Sequence, residues 1–366
     1  MAYYTKDSIY SQISDGDVED WSHNLRSSMQ PRPGLTNRLR PPKLVTKMYK
    51  SYNRNQLTDT GVSLNISFKN NDSVSEAELT SLHYNYFQTN FTCISKIGEG
   101  SFGEVFNVKS KEDGRMYAVK ISKEVLRGGR YRKERLEEAR LYKQFSGKPN
   151  CLTVYRAWQQ HERLYIQMEL CKGNLQNYLD KKKELPERMI WSIFLDILIA
   201  LKSLHDNNLI HLDIKTENVL ISDDGSCKLA DFGLVADVDK ANRECVMEGD
   251  ARYVAPEIMR GIFSKSADIF SLGITILKLA GNKHLPPNSQ RWVQIRSGLL
   301  PDNVLKNLGI SLELQQVLKE MISADQATRP SVDILLQHKK FRYFKMQKLF
   351  WKNIQQTVSL RHLFHC

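Results

Sequence analysis

The sequence has few cysteines, and neither they nor its histidines are spaced for metal binding. Its 366 residues include 6 cysteines and 9 histidines, with no C-x-x-C pair, no secretory spacing and no histidine cluster. These absences exclude a disulfide-rich secreted domain and a zinc module. We therefore expect reduced thiols and a cytoplasmic location.

Long hydrophobic runs are also absent, because no segment approaches the roughly 18 consecutive apolar residues of a membrane-spanning helix. Three N-x-S/T sequons begin at Asn65, Asn71 and Asn90, but no signal peptide precedes them, so we expect the chain to face the cytosol. The net charge of +12 is not gathered into a basic, aromatic-rich module. We expect a solvated basic surface and no nucleic-acid partner.

What the sequence does have is enough apolar material for a large core. Hydrophobic residues make up 41% of the chain, which suits one bilobal core with residues left over for tails. Residues 1–85 lack periodicity, begin acidic and then turn basic. This pattern is typical of a disordered arm, for which we expect a regulatory role.

The most informative motif is H-L-D-I-K-T-E-N at residues 211–218, followed further along by D-F-G, which begins at Asp231. Phosphoryl transfer from Mg·ATP needs a base at the incoming hydroxyl, a cation and oxygen ligands for Mg²⁺. We predict Asp213 as the catalytic base and Lys215 as the cation beside the phosphate. Asn218 and Asp231 are the predicted magnesium ligands.

A glycine-rich segment with the pattern G-x-G-x-x-G-x-V lies upstream. Dinucleotide-binding folds share this pattern but continue into a helix, whereas here β-formers lead to a turn at residues 112–114 and a second strand at 116–121. The segment therefore predicts a phosphate-covering hairpin. Its predicted nucleotide-binding residues are Ile97, Gly98, Glu99, Gly100, Ser101, Phe102, Gly103 and Val105.

The second strand carries Lys120 within a hydrophobic run, where an ammonium is costly unless it is paired. We predict that Lys120 holds the α- and β-phosphates and that Ala118 on the same strand contacts the nucleotide. The next helix offers Glu134, Glu137 and Glu138 as carboxylate partners. We choose Glu138, because counting back from Ala157 and Trp158 aligns it best with the related proteins named below, and Glu137 remains the alternative.

A further apolar strand, residues 164–171, runs into a glycine-containing linker. Its position predicts a hinge in which the backbone of Glu169 and Cys171 binds adenine, with Met168 guarding the pocket behind it. A strand of this composition is also typical of a hydrophobic core. The hinge role rests on its position among the other motifs.

Taken together, these motifs resemble the eukaryotic protein kinase family over residues 91–340. The resemblance implies an α+β fold with a β-rich N-lobe and a mainly helical C-lobe. It also implies structural roles for Asp268, which would hold the catalytic-loop backbone, and for an Arg329–Glu257 pair. One departure is Leu212, which replaces the arginine of the family's H-R-D motif. Activity without loop phosphorylation is therefore expected, and the loop from Asp231 to Glu257 contains no Ser or Thr.

The E-G-D-x-R segment at residues 248–252 narrows the resemblance to the Wee family of cell-cycle inhibitory kinases. The chain is most similar to its membrane-associated tyrosine- and threonine-specific Myt branch, which shares E-L-C at the hinge and H-L-D in the catalytic loop. This resemblance implies a cyclin-dependent kinase as substrate, dual Thr/Tyr specificity, and an endoplasmic reticulum or Golgi membrane location. A pseudokinase scaffold and a kinase of another family remain alternatives.

The tail, residues 341–366, is basic and places Met346, Phe350, Ile354 and Val358 at helical spacing. The Myt branch is expected to carry a membrane segment beyond its kinase domain, so the chain is either truncated or a form without that anchor. We expect peripheral membrane contact. Residues 361–364, from Arg361 to Phe364, also resemble a short cyclin-docking motif.

Overall fold

A computed structural model of the chain describes residues 65–67, 85–100, 103–123, 129–181, 184–240, 250, 252–281, 293–295, 297–298, 300, 305–306 and 308–350. Side chains are described for all of these except 65–67 and 129–134. Most of the arm (residues 1–85) lies outside this part of the chain, as do Ser101, Phe102, the Glu134 side chain, most of the E-G-D-x-R segment and residues 351–366, which include Ile354, Val358 and the 361–364 motif. Within the arm, residues 65–67 form a strand where we expected a disordered segment.

The N-lobe is built on an antiparallel sheet in the order β1-β5-β6-β4-β3-β2. Its strands are β1 (Asn65–Ser67), β2 (Phe91–Glu99), β3 (Gly103–Ser110), β4 (Met116–Ser122), β5 (Val154–Gln160) and β6 (Arg163–Glu169). The predicted hairpin between β3 and β4 is confirmed. Gly114 closes its turn with φ +70°, a backbone conformation that glycine adopts without steric cost.

Two helices accompany this sheet. The short α1 (Tyr86–Asn90) precedes β2, and α2 (Gly129–Phe145) connects β4 to β5. Tyr86, Phe91, Trp158 and Tyr165 belong to a small aromatic core on the α1 side of the sheet. Residues of α2 instead join the large core that continues into the C-lobe.

The C-lobe is mainly helical, as the kinase resemblance implies. Its helices are α3 (Leu175–Lys181), α4 (Glu187–Asp206), α5 (Lys265–Gly281), α6 (Leu312–Met321) and α7 (Val332–Gln337), and residues 339–350 are also helical. Short strands β7 (Gly173–Asn174), β8 (Leu209–Ile210), β9 (Val219–Ile221), β10 (Cys227–Leu229) and β11 (Ala236–Asp237) form two small sheets, β10-β9-β7 and β11-β8.

Helix α5 is largely buried in this lobe. The contacts predicted for Asp268 and for the Arg329–Glu257 pair both involve this helix. Asp268 is fully buried and accepts the backbone N–H groups of His211 at 2.8 Å and Leu212 at 2.9 Å. Arg329 forms a two-pronged pair with the Glu257 carboxylate and also donates to the Ser266 carbonyl. The two contacts fix the catalytic loop and the end of the activation segment to one helix.

The helical segment 339–350 packs against α4 through Phe341 and Phe344, both of which are buried. The Phe341 ring lies 4.7 Å from Phe194 and 5.1 Å from Trp191. Lys348, one turn beyond Phe344, pairs with the buried Asp196 carboxylate. Among the helices of the described residues, none is both long and apolar enough to cross a membrane.

Candidate active site

The centre of the site is a buried network of charges contributed by both lobes. The Lys120 amine on β4 lies 2.7 Å from Glu138 Oε1 on α2 and 3.1 Å from Asp231 Oδ1 at the start of D-F-G. Burial by itself would lower the pKa of Lys120, but the Asp231 and Glu138 carboxylates outweigh it and hold that pKa well above its usual value. Lys120 therefore remains a cation between two carboxylates.

The helix partner of Lys120 is Glu138, the residue chosen from the sequence. Its side chain is 2% exposed, whereas that of Glu137 is 57% exposed and lies near Arg140. The reason is helical geometry, because neighbouring positions on a helix point about 100° apart and only one of them faces the sheet. What the ion pair does in catalysis stays a prediction.

The catalytic loop and the D-F-G segment each contain one residue in a strained backbone conformation. Leu212 has φ +65° and Asp231 has φ +63°, which non-glycine residues adopt only when their surroundings enforce it. Asp268 provides that constraint for Leu212, and the Tyr142 hydroxyl accepts the Asp231 N–H at 3.0 Å. The Leu212 side chain is buried in the main core, so no cation for a phosphate stands at this position.

Asp213, Lys215 and Asn218 come together as the predicted set. The Lys215 amine donates to both carboxylate oxygens of Asp213, at 2.8 and 2.7 Å. The Asn218 amide donates from Nδ2 to Asp213 Oδ2 at 2.7 Å and to the Asp213 carbonyl at 2.9 Å. The carboxylate is thereby oriented by a cation and an amide, the arrangement that a positioned base requires.

The donor set around Asn218 and Asp231 fits a hard divalent cation. The side-chain hydrogen bonds of Asn218 are made by Nδ2, and that of Asp231 by Oδ1. Asn218 Oδ1 and Asp231 Oδ2 accept no hydrogen bond from the described residues. Amide and carboxylate oxygens are the ligands that such ions prefer. In the described part of the chain, no group of three or more His, Cys, Asp and Glu residues is arranged to hold a metal ion, so a metal here would take its other ligands from phosphate or water.

The glycines of the glycine-rich hairpin differ in how closely other atoms pack around them. At Gly103, an added Cβ would lie 2.6 Å from the Ile121 carbonyl oxygen, whereas at Gly100 it would meet nothing within 4 Å. Gly103 is therefore required by packing against β4, whereas packing does not constrain Gly100, whose nucleotide contact stays a prediction. The Glu99 side chain points to the surface, where Lys123 and Lys96 lower its pKa to about 2, and its nucleotide contact stays a prediction.

The predicted hinge follows β6. Met168 and Ala118 are buried and face each other in register across β6 and β4. The Glu169 side chain binds Lys228 at 2.6 and 2.7 Å and accepts the Thr153 N–H. The Cys171 backbone N–H has no partner among the described residues, which leaves it available to an adenine ring.

The described part of the activation segment is anchored by Tyr253. Its hydroxyl accepts the Lys278 ammonium at 2.7 Å, and Lys278 also donates to Thr216 Oγ1 at 3.0 Å. Tyr253 is buried and carries the one hydroxyl between Asp231 and Glu257 in the sequence. Nearby, Arg252 binds the Asp250 carboxylate through Nε and Nη2.

Several residues of this site were not found from the sequence. Arg135 and Tyr142 share a face of α2 with Glu138, and their spacing of three and four residues was the available signal. Lys278 interrupts the apolar helix α5, as Lys120 interrupts β4. A lysine in an apolar run indicates a buried partner but does not identify it.

Comparisons with known proteins agree with this geometry. The family model "Protein kinase domain" matches residues 91–341. A Drosophila melanogaster relative, a "Membrane-associated tyrosine- and threonine-specific cdc2-inhibitory kinase", is 49% identical over 86% of this chain and 62% of its own length. The corresponding wee-1.3 kinase of Caenorhabditis briggsae is 40% identical over 72% of this chain and 41% of its own length.

A third relative, the "Mitosis inhibitor protein kinase wee1" of Schizosaccharomyces pombe, is 32% identical over 71% of this chain and 32% of its own length. The chain thus spans less than two thirds of the length of each of these three relatives. Residues 91–341, which the family model matches, contain all the site residues described above.

Proposed function

This chain belongs to the protein kinase family, and we propose that it is a Wee-type kinase that inhibits a mitotic cyclin-dependent kinase by phosphorylating it on Thr and Tyr. The observation that carries the kinase assignment is the Lys120 ammonium held between Glu138 and Asp231, together with the Asp213–Lys215–Asn218 group. The substrate class rests on the names of the relatives, which are cdc2-inhibitory kinases.

The reaction transfers the γ-phosphoryl group of ATP to a substrate hydroxyl and releases ADP. Asp213 accepts the hydroxyl proton as the new P–O bond forms, and Lys215 keeps the Asp213 carboxylate in place while placing a positive charge beside the phosphoryl oxygens. Lys120 binds the α- and β-phosphates. Asn218 and Asp231 would hold Mg²⁺, which neutralises phosphate charge when bound.

Activity without phosphorylation of the activation segment is part of this proposal. In the H-L-D motif a buried leucine replaces the arginine that would bind a loop phosphate. Tyr253, the segment's one hydroxyl residue, is held inside the C-lobe by Lys278. The Lys278–Tyr253–Thr216 contacts fasten the segment in place of a phosphate.

The decisive experiment is to incubate the purified chain with ATP, Mg²⁺ and a cyclin-bound cyclin-dependent kinase, and then to map the modified residues by mass spectrometry. We expect phosphate on adjacent Thr and Tyr residues of the substrate's own glycine-rich loop, with loss of its activity. The Asp213→Asn variant is the control.

Two other results would contradict the proposal in different ways. Phosphorylation of other proteins, with the cyclin-dependent kinase left unmodified, would indicate a kinase of another family. Binding of ATP without any turnover would indicate a pseudokinase scaffold.

We further propose that the basic tail contacts an endoplasmic reticulum or Golgi membrane and that residues 361–364 dock on a cyclin. In the described tail, Met346 and Phe350 are 71% and 61% exposed, and this apolar material beside lysines suits an anionic surface. Binding of the chain to anionic vesicles tests the membrane contact.

Equal cyclin binding by the Leu363→Ala variant and the wild type would contradict the docking of residues 361–364 on a cyclin.

A further inference from the structure

Helix α2 presents a continuous face to the D-F-G segment. Arg135, Glu138, Tyr142 and Phe145 follow one another at spacings of three, four and three residues, so they share one side of the helix. The Tyr142 ring stacks on Phe232 at 4.9 Å, and the Phe145 ring meets Phe232 edge-on at 5.9 Å. The C-terminal half of this face therefore fixes the D-F-G segment by packing.

The N-terminal half of the same face carries charge. Glu138 is 2% exposed, and its two oxygens have different cationic partners: Lys120 lies 2.7 Å from Oε1, and the Arg135 guanidinium donates to Oε2 at 2.6 Å. Arg135 is itself only 4% exposed. A carboxylate buried to this degree keeps its charge and its direction only when it is fully paired.

Arg135 also lies against the D-F-G segment. A Cβ built on Gly233 would be 3.5 Å from the Arg135 Nη1 atom and 3.8 Å from the Glu138 Cδ atom. The guanidinium and the α2 carboxylate therefore both adjoin the D-F-G glycine. The planar fork of Arg135 holds a direction that a more flexible ammonium does not.

Pairing on both oxygens matters once a nucleotide arrives, because Lys120 must then share its charge between Glu138 and phosphate. The Glu138 carboxylate would then lose part of the positive charge that balances it, at the step in which Glu138 has to stay fixed. Arg135 occupies the oxygen that Lys120 does not use, so it continues to hold the carboxylate.

We propose that Arg135 is a positioning residue for phosphoryl transfer: it holds the Glu138 carboxylate from the far side, so that Glu138 keeps Lys120 aligned while Lys120 binds phosphate. This role rests on the proposed kinase function and adds a residue to its machinery. Arg135 acts through Glu138 and does not touch the reacting atoms.

The test compares Arg135→Met with Arg140→Met in the full chain. Methionine keeps much of the arginine stem and removes the charge, and Arg140 lies on the same helix with its side chain 75% exposed. We expect Arg135→Met to lower kcat by about 10-fold or more, with the KM for ATP changed by less than about threefold, because misalignment affects the transition state more than nucleotide binding. Arg140→Met should match the wild type.

Two further variants separate positioning from simple structural support. Arg135→Lys retains the positive charge but not the planar fork, and should recover part of kcat, to about three- to fivefold below the wild type. In the Glu138→Gln background, Arg135→Met should lower kcat by less than about twofold, because residues that act as a unit are not additive. If Arg135→Met does not fold, Arg135→Gln replaces it with the same expected results.

The proposal is overturned if folded Arg135→Met has wild-type kcat, or if its effect is undiminished in the Glu138→Gln background. A wild-type chain without turnover is a different result, because it contradicts the proposed kinase function itself. Wild-type turnover on an unexpected protein contradicts only the substrate class, and the Arg135 comparison then proceeds with that protein.

Discussion

At the scale of single residues, the chemistry depends on how Asp213 is held. Its carboxylate is oriented by the Lys215 ammonium and the Asn218 amide, and its backbone belongs to a loop fixed by Asp268. None of these neighbours can replace it as a proton acceptor, because each presents an N–H donor to it. The site therefore contains one base with several supports.

Replacing Asp213 by Asn should lower kcat at least about 100-fold, since the amide keeps the size of the side chain but cannot take the hydroxyl proton. Steady-state rates of ADP release with a cyclin-bound kinase as acceptor measure the effect. Melting temperatures of the two proteins confirm that both are folded. A variant with unchanged kcat would show that Asp213 is not the base.

His211 illustrates how burial shifts a single titration. The side chain is fully buried, its ring nitrogen lies 3.2 Å from the Ala230 carbonyl, and burial lowers the pKa of His211 although Asp268, Asp213 and Asp231 partly oppose that shift. The unfolded chain then binds a proton at this residue more readily than the folded chain does. The contribution of His211 to the stability of the fold is fully present above the pKa of this residue in the unfolded chain, and it is lost as the pH drops below that pKa.

Urea unfolding at pH 7.5 and pH 5.5 should therefore show a smaller loss of stability on acidification for His211→Phe than for the wild type. The difference between the two proteins is at most about 1.4 kcal/mol at pH 5.5, from an unfolded histidine pKa near 6.5. Phenylalanine keeps the edge-on contact with Phe232, at 5.7 Å in the wild type. Equal pH dependence in both proteins would rule out His211 as a source of acid sensitivity.

At the scale of elements, two helical segments support the geometry of the site, α2 directly and residues 339–350 through α4. Helix α2 brings Glu138 to Lys120 and Tyr142 to Asp231. The helical segment 339–350 packs on α4, whose buried Asp196 accepts the Cys227 N–H at 3.0 Å at the start of β10, the strand that leads to Asp231. The helical segment 339–350 thus supports β10, the strand that precedes D-F-G.

This packing predicts unequal effects for two residues of one helix. Phe341→Ala should lower the free energy of unfolding by about 3–5 kcal/mol, because it leaves a cavity against Trp191 and Phe194. Met346→Ala, at a position 71% exposed, should change it by less than about 0.5 kcal/mol. Urea denaturation followed by tryptophan fluorescence measures both, and similar values for the pair would mean that the segment is not docked in solution.

At the scale of the whole molecule, the charge network joins the two lobes. Lys120 belongs to the sheet, Glu138 to α2 and Asp231 to the C-lobe segment that follows β10. Because a nucleotide that engages Lys120 contacts both lobes, its binding should stabilise the entire fold. At 100 times Kd, that stabilisation is about 2.7 kcal/mol.

Lys120→Met should therefore abolish most of the increase in melting temperature that Mg·ATP produces. Lys123→Met is the matched control, because Lys123 lies just beyond β4 and binds the surface residue Glu99. Thermal melts with and without saturating Mg·ATP give the comparison. An undiminished increase in the Lys120 variant would contradict its predicted role at the phosphates.

The sequence by itself determined the linear order of the site and much of its local structure. The β3–β4 hairpin follows from its turn residues, and the contacts of Asp268 and of Arg329 with Glu257 were predicted through the kinase resemblance. Glu138 was distinguished from Glu137 by alignment with related kinases, and the structure pairs Glu138 with Lys120. Local propensity sufficed for the hairpin, because a turn depends on residue type at fixed positions, whereas the other contacts were predicted only through the resemblance.

Only the tertiary structure decided which distant side chains complete the site. Two of these contacts join different elements: the Tyr142 hydroxyl with the Asp231 N–H, and Lys278 with the Tyr253 hydroxyl. The third, Arg135 with the second oxygen of Glu138, lies within α2, where the helix face offers several partners equally. Such contacts depend on how the lobes pack, and the free energy of burying a charge is set by all of its neighbours together. A one-dimensional pattern contains the residues but not the distances between them.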